Sequence, residues 1–296
     1  MRNIDEMIWG PWLLFLLLGT GVLLMARLDF LPLKKLGFAL KCAIGADKQR
    51  NDISGNKNRN AGEVSPLSAL TTELAATIGT GNIVGVATAM VLGGPGALLW
   101  MMAAAVPGLA TKLVESALSV KYRSRNARGE WTGGPMYTLR NAFPGILGTV
   151  LSFCYAFFAV MASFGMGNMT QANSIADACR VAFDIPAALT GLVLTIVTIF
   201  VILSGIRGIA KLTQYLVPFM GIFYLLGTLG VIAHNFYRLP QGIGSILIMA
   251  FAPEAVRGGL LGQLTARASL SMRRSLRFGV SRGVFSNEAG LGAGGI

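Results

Sequence analysis

The chain has 296 residues, of which 53% are hydrophobic and only 13% charged, with a mean hydropathy of +0.62. Soluble domains carry about a quarter charged residues, so this composition points to a membrane protein. Three scattered cysteines (Cys42, Cys154, Cys179) and a single histidine (His234) argue against a disulfide framework, a zinc site, a multi-histidine metal centre and a Ser-His-Asp triad. No enzyme activity and no bound cofactor are expected.

A helix of about 20 apolar residues crosses the hydrocarbon core. Runs of that kind predict spans at 9–30, 66–92, 96–120, 146–172, 187–206, 212–233 and 242–264. The first is not a signal peptide, because Asp5 and Glu6 precede it and no small-residue cleavage site follows. The net charge of +12 is distributed by topology rather than as a nucleic-acid footprint. Eight Lys and Arg fall between Arg27 and Arg59, and five between Lys121 and Arg140. Arg207 and Lys211 follow, then Arg267, Arg273, Arg274, Arg277 and Arg282. The intervening segments hold only Arg2, Arg180 and Arg238, so every second loop is basic. By the positive-inside rule the N-terminus is outside, and loop 31–65 and the tail 265–296 are cytoplasmic. In that loop, Leu31 to Ile44 reads as a surface helix carrying Lys34, Lys35 and Lys41, followed by a flexible Asn/Gly/Lys-rich stretch.

The second span contains "ATIGTGNIVGVATA", Ala76 to Ala89. Its glycines resemble a dinucleotide-binding loop, but the preceding stretch is helical and no acid follows about 20 residues on, so that reading fails. Two readings remain. Gly81 and Gly85 form GxxxG, which lets another helix approach closely. Alternatively, Gly79-Thr80-Gly81-Asn82 is an unwound segment whose amides and carbonyls bind a solute. In the third span Lys112 and Glu115 are three apart, which makes a local pair the default. Glu73 lies six residues before Gly79 and approaches the cytoplasmic interface, pairs with Lys112, or takes part in proton or cation handling. The fourth span ends in "ASFGMGNMTQANSIAD", where Asn168, Gln171 and Asn173 face water at the interface or turn inward to a substrate. The last span is interrupted by Pro253 and Gly258-Gly259, with Glu254 and Arg257 three apart. Breaks at matching places in two halves point to a transporter's binding site.

Five stretches carry a resemblance: "LAATIGTGNIVGVATAMVLGGPGALLWM", "GLATKLVESALSVKYR", "GGPMYTLRNA", "GNMTQANSIAD" and "RFGVSRGVFSNEAGLG". In this order they resemble the alanine or glycine:cation symporters, the sodium:alanine symporter family, from about Trp9 to Gly292. The resemblance implies an all-α polytopic protein with a LeuT-like fold: one extra N-terminal helix, then two inverted five-helix repeats. It implies symport of sodium with a small neutral amino acid, alanine or glycine, across the cell membrane, with the lipid bilayer and that substrate as partners and no nucleic acid. Substrate would be held by Gly79, Thr80, Gly81, Asn82, Gln171, Gly258 and Gly259, and the cation by Ala76, Thr77 and Gly79. Sodium is the co-transported ion, and no resident metal is implied. Glu254 and Arg257 stand where the family has small residues, and 262–277 is longer and more basic. After "SNEAGLG" the family continues into further helices, whereas this chain reads "AGGI"; the expectation is a C-terminally truncated member with an incomplete second repeat. The alternatives to a symporter are an inactive fragment of one, or a passive pore or structural membrane subunit.

Overall fold

A computed structural model of the chain describes residues 10–43, 66–127, 129, 131–251 and 262–292. Apolar helices make up most of it. α1 (Pro11–Arg27) begins on a proline, whose missing N–H is harmless in a first turn, and ends on Arg27 beside the negative end of the helix. The expected surface helix at Leu31–Ile44 forms as two pieces, α2 (Leu31–Lys34) and α3 (Leu36–Ala43). The stretch expected as one span at 66–92 forms two helices, α4 (Pro66–Thr77) and α5 (Thr80–Gly93), separated at Ile78 and Gly79. α6 (Ala97–Lys121) follows across the short Gly94-Pro95-Gly96 connection and accommodates Pro107 in its interior.

A two-residue hairpin, β1 (Ser124–Arg125) with β2 (Trp131–Thr132), pairs antiparallel. The guanidinium carbons of Arg123 and Arg125 lie 4.0 and 4.7 Å from the Trp131 ring, which gives this basic connection a cation–π clasp. α7 (Pro135–Ala142) and α8 (Ile146–Ala162) pack together, then a π-helical turn (Ser163–Met169) leads into α9 (Thr170–Phe183). Asp184 ends α9 in the left-handed conformation, at φ 55°. α10 (Ala187–Leu203), α11 (Gly205–His234), a 3₁₀ turn (Phe236–Arg238) and α12 (Leu239–Phe251) complete this run, and α13 (Gly262–Asn287) is the last described helix. The sequence reading had no helix in the tail at 265–296.

Among the described residues, four stretches are long and apolar enough to cross a membrane: Leu67–Gly93, Ala97–Lys121, Ile146–Phe183 and Gly208–His234. Trp12–Arg27 and Ala187–Leu203 are shorter apolar helices. Large apolar side chains such as Phe153, Phe157, Phe158, Phe219 and Phe223 stand exposed on these helices, which suits a hydrocarbon surrounding.

The described residues fall into two compact units: one within 1–34, 81–121 and 227–296, the other within 35–80 and 122–226. In the first, α6 is the central strut, packed on α1, α12 and α13. Leu14, Ala104, Val280 and Val284 form its buried core, with Leu17, Leu18 and Trp100 against it. Close approach relies on small residues, as membrane helices require. A methyl group on Gly279 would strike the carbonyl of Ala97, and one on Gly283 would press on Met101 and Ala104. The spacing of four puts both glycines on one face of α13, so Gly279 and Gly283 make a GxxxG seam. Trp100 Nε1 donates to the Ala250 carbonyl at 3.1 Å, fixing α12 to α6.

In the second unit α7 packs on α8, and α9 on α10. Hydroxyl and amide groups link α4 to α11. Ser68 Oγ donates to Gln214 Oε1 at 2.9 Å, and the Thr72 and Thr213 hydroxyls lie 3.0 Å apart. Ser68 and Thr71 are buried polar side chains, and Thr71 is satisfied by the Ser68 carbonyl at 3.1 Å. Such bonds hold apolar helices together where no hydrophobic force between them exists.

Candidate functional site at the helix break

The separation of α4 from α5 has a definite hydrogen-bonding pattern. Ile78 N still reaches back to the Leu74 carbonyl at 2.7 Å, which completes the last turn of α4. Gly79 N then folds onto the Thr77 carbonyl at 3.2 Å, a bond spanning only two residues. In a continuous helix the Thr80 amide would bond to the Ala76 carbonyl. Here Thr80 N donates to Gln171 Oε1 at 3.3 Å instead, and the Thr80 hydroxyl donates to the same oxygen. The Ala76 carbonyl is thereby released from its helical role.

Gln171 is the second residue of α9, immediately after the π-helical turn at Ser163–Met169. π turns rotate the side chains that follow them and are frequent at functional sites. The Gln171 amide lies 3.3 to 3.4 Å from the point where a Cβ on Gly79 would stand. Gly79 is therefore the floor on which the glutamine rests. The structure thus brings together Gly79, Thr80 and Gln171. Gln171 is half-buried, while its neighbours Asn168 and Asn173 are exposed.

At the C-terminal end of α4, the last carbonyls carry the negative end of the helix dipole. Ala76 and Thr77 supply them, and the Thr77 hydroxyl turns back onto the Glu73 carbonyl at 3.1 Å. A small oxygen-seeking cation suits such an end. Asn82 lies half-buried in the first turn of α5. Gly258 and Gly259, with Glu254 and Arg257, lie outside the described residues, so the second expected break has no geometry here.

In the other unit, Gly81 and Gly85 meet a side chain that the sequence reading counted only as a topological charge. Arg282, on α13, donates through Nη2 to the Gly81 carbonyl. Its guanidinium fills the space a side chain on Gly85 would need, and stands 4.8 Å from the Phe285 ring centroid. The GxxxG of Gly81 and Gly85 is thus a notch for an arginine rather than a seam for a helix. Arg282 was discoverable as the single cation inside the apolar, small-residue stretch "GVSRGVF".

The sequence reading gave Lys112 and Glu115 a local pair as default; the structure shows that both also reach the end of α13. Lys112 Nζ lies 3.9 Å from Glu288 Oε2. Glu115 Oε1 accepts from the amides of Gly290 and Gly292 at 2.9 and 3.1 Å. Glu288, Gly290 and Gly292 all have positive φ, so the turn "SNEAGLG" curls its N–H groups around that carboxylate.

The profile of the sodium:alanine symporter family matches residues 1–296. The chain belongs to the sodium:alanine symporter family. It is a multi-pass membrane protein whose apolar helices fit that membership. It is 45% identical to the sodium/alanine symporter AgcS of Methanococcus maripaludis, over 99% of this chain and 61% of that protein. It is 35% identical to a putative sodium/proton-dependent alanine carrier, YrbD, of Bacillus subtilis, over 99% and 55% of the respective chains. A probable sodium/glutamine symporter of the same organism, GlnT, is 33% identical over 98% of this chain and 55% of its own. The chain therefore spans about three fifths or less of the length of these family members.

Proposed function

We propose that the protein is a secondary active transporter that couples sodium influx to uptake of a small neutral amino acid, alanine or glycine. It adopts a LeuT-like arrangement in the cell membrane, N-terminus outside and C-terminus cytoplasmic. The observation that carries this reading is the break between α4 and α5, occupied by Gln171. A stretch of apolar helix has surrendered its backbone bonding in the middle, and a polar side chain from another helix has taken up one of the amides. Lipid tolerates an exposed backbone only where it lines a cavity or meets protein, so a break of this kind marks a polar ligand site.

The ligand's parts follow from the polarity of the break. The N-terminal amides of α5, at Thr80, Gly81 and Asn82, favour a carboxylate. The carbonyls of Ala76, Thr77 and Gly79 favour sodium. Gln171, an amide able to donate and accept, bonds to the substrate when it leaves Thr80. Gly258 and Gly259 complete the pocket. Alanine and glycine fit because the residues at the break are themselves small; the alanine named for AgcS and YrbD supports this choice. Substrate and cation meet at one break, so each raises the affinity for the other by the same factor.

The test is uptake of radiolabelled alanine into proteoliposomes containing the purified protein. A symporter gives saturating uptake that collapses when an ionophore dissipates the sodium gradient. Uptake linear in alanine and indifferent to that gradient identifies a passive pore instead.

A further inference from the structure

We propose that the cleft between α5 and α13 is a binding site for the phosphate of an anionic phospholipid, gripped by Arg277 and Arg282. This inference does not depend on the transport reading. It rests on a cleft of about 340 Å³ that no part of the substrate site uses. One wall is a single face of α5, where Gly85, Thr88 and Leu92 recur at helical spacing; the other carries Arg277, Phe278, Arg282 and Phe285 of α13.

Three observations point to an oxyanion. Two guanidinium groups share the cleft, and among the described residues no carboxylate stands within ion-pair distance of either. Arg282 uses Nη2 on the Gly81 carbonyl, but its Nε is buried without a hydrogen-bond partner. A buried donor left in this way costs free energy and calls for an acceptor. Arg277 and Arg282 each lie beside an aromatic ring, at 6.0 Å from Phe278 and 4.8 Å from Phe285. Guanidinium groups offer paired N–H donors in the geometry that phosphate oxygens accept.

The place and lining of the cleft favour a lipid over a free amino acid. Ser275 Oγ bonds the Gly93 carbonyl, and Gly279 rests on Ala97, so Arg277 lies level with the turn joining α5 to α6. That turn ends a hairpin of two apolar helices, the level at which headgroups lie. Two guanidinium groups at that level offer paired donors to a lipid phosphate. Leu92 and the two phenylalanine rings suit a glycerol backbone and the start of an acyl chain. The ammonium group of a zwitterionic amino acid would instead face two cations.

Native mass spectrometry of the purified protein in a neutral detergent tests this, with phosphatidylglycerol, phosphatidylcholine or inorganic phosphate added at equal concentration. The expected result is one phosphatidylglycerol per chain, held roughly tenfold more tightly than phosphatidylcholine and not displaced by inorganic phosphate. Arg277→Gln lowers that affinity roughly tenfold, the loss of one charge-assisted hydrogen bond, and leaves phosphatidylcholine unchanged. Arg277 is chosen because its removal leaves the Arg282 bond to Gly81 in place; Arg238→Gln, outside the cleft, retains wild-type binding. Equal retention of the two lipids overturns the proposal. Displacement by inorganic phosphate also overturns it, by showing a soluble-anion site. Displacement by alanine with sodium assigns the cleft to the amino acid and overturns it equally.

Discussion

At the scale of single residues, the break turns on a side chain that comes from elsewhere in the chain. Gln171 takes the Thr80 amide and hydroxyl. Gln171→Ala removes both bonds and leaves a part-buried amide without its acceptor, a cost of about 1–3 kcal/mol. Alanine uptake by that variant is expected to fall by roughly tenfold or more. Gly81→Leu is expected to abolish alanine binding while leaving membrane insertion intact, because the added side chain crowds the amides and meets Arg282 Nη2. Uptake in that variant at the wild-type rate removes Gly81 from the site. Gly85→Leu provides the companion experiment. Its side chain must evict the Arg282 guanidinium, so it should loosen the start of α5 and speed hydrogen exchange at 81–85 relative to wild type. Much of this was open to sequence reasoning. Glycines beside Thr80 and Asn82 inside an apolar run signalled a break, and Gln171 stood out as an amide at the end of another. Arg282 did not stand out, because one more arginine in a basic segment reads as topology. Its place inside the apolar run "GVSRGVF" was the one sequence signal, and the notch at Gly85 shows that it points into the fold.

At the scale of elements, the end of α13 is tied to α6 by a carboxylate. Glu115 accepts two backbone amides from the turn after α13, and Lys112 reaches Glu288. Glu115→Ala is expected to destabilise the protein by about 2 kcal/mol, since two charge-assisted bonds are lost and the turn's amides are stranded. A thermal unfolding measurement checks this, and an unchanged midpoint refutes the assignment. The sequence placed these charges within the helix but gave no sign of the contacts they make with the end of α13. Spacing of three along a helix makes a local pair possible, but a turn with three positive-φ residues offers a carboxylate better geometry. That turn involves residues some 175 positions away from Glu115, and periodicity carries no information over such separations. The helix at Gly262–Asn287 was missed for a related reason. Its early arginines resemble a loop, and its packing comes from Gly279 and Gly283, which a composition argument reads as breakers.

At the scale of the whole molecule, the apolar composition and the long apolar helices state the same thing, and membership of the sodium:alanine symporter family names it. Helix existence was plain in the sequence because lipid demands long apolar runs. The interruption at Gly79 was one of two readings the sequence left open, beside a close-packing GxxxG at Gly81 and Gly85. Substrate choice was not plain: family members named for alanine and for glutamine share the same break-bearing region with this chain. A side-chain pocket decides between such substrates, and Gly258 and Gly259, proposed to complete it, lie outside the described residues. The most direct measurement is equilibrium binding of radiolabelled alanine to the purified protein, with sodium and with choline in its place, for wild type and Gln171→Ala. The account predicts saturable binding that requires sodium and is lost in the variant. Binding that ignores sodium, or that survives unchanged in Gln171→Ala, contradicts the claim that the break at Gly79 is where substrate and cation meet.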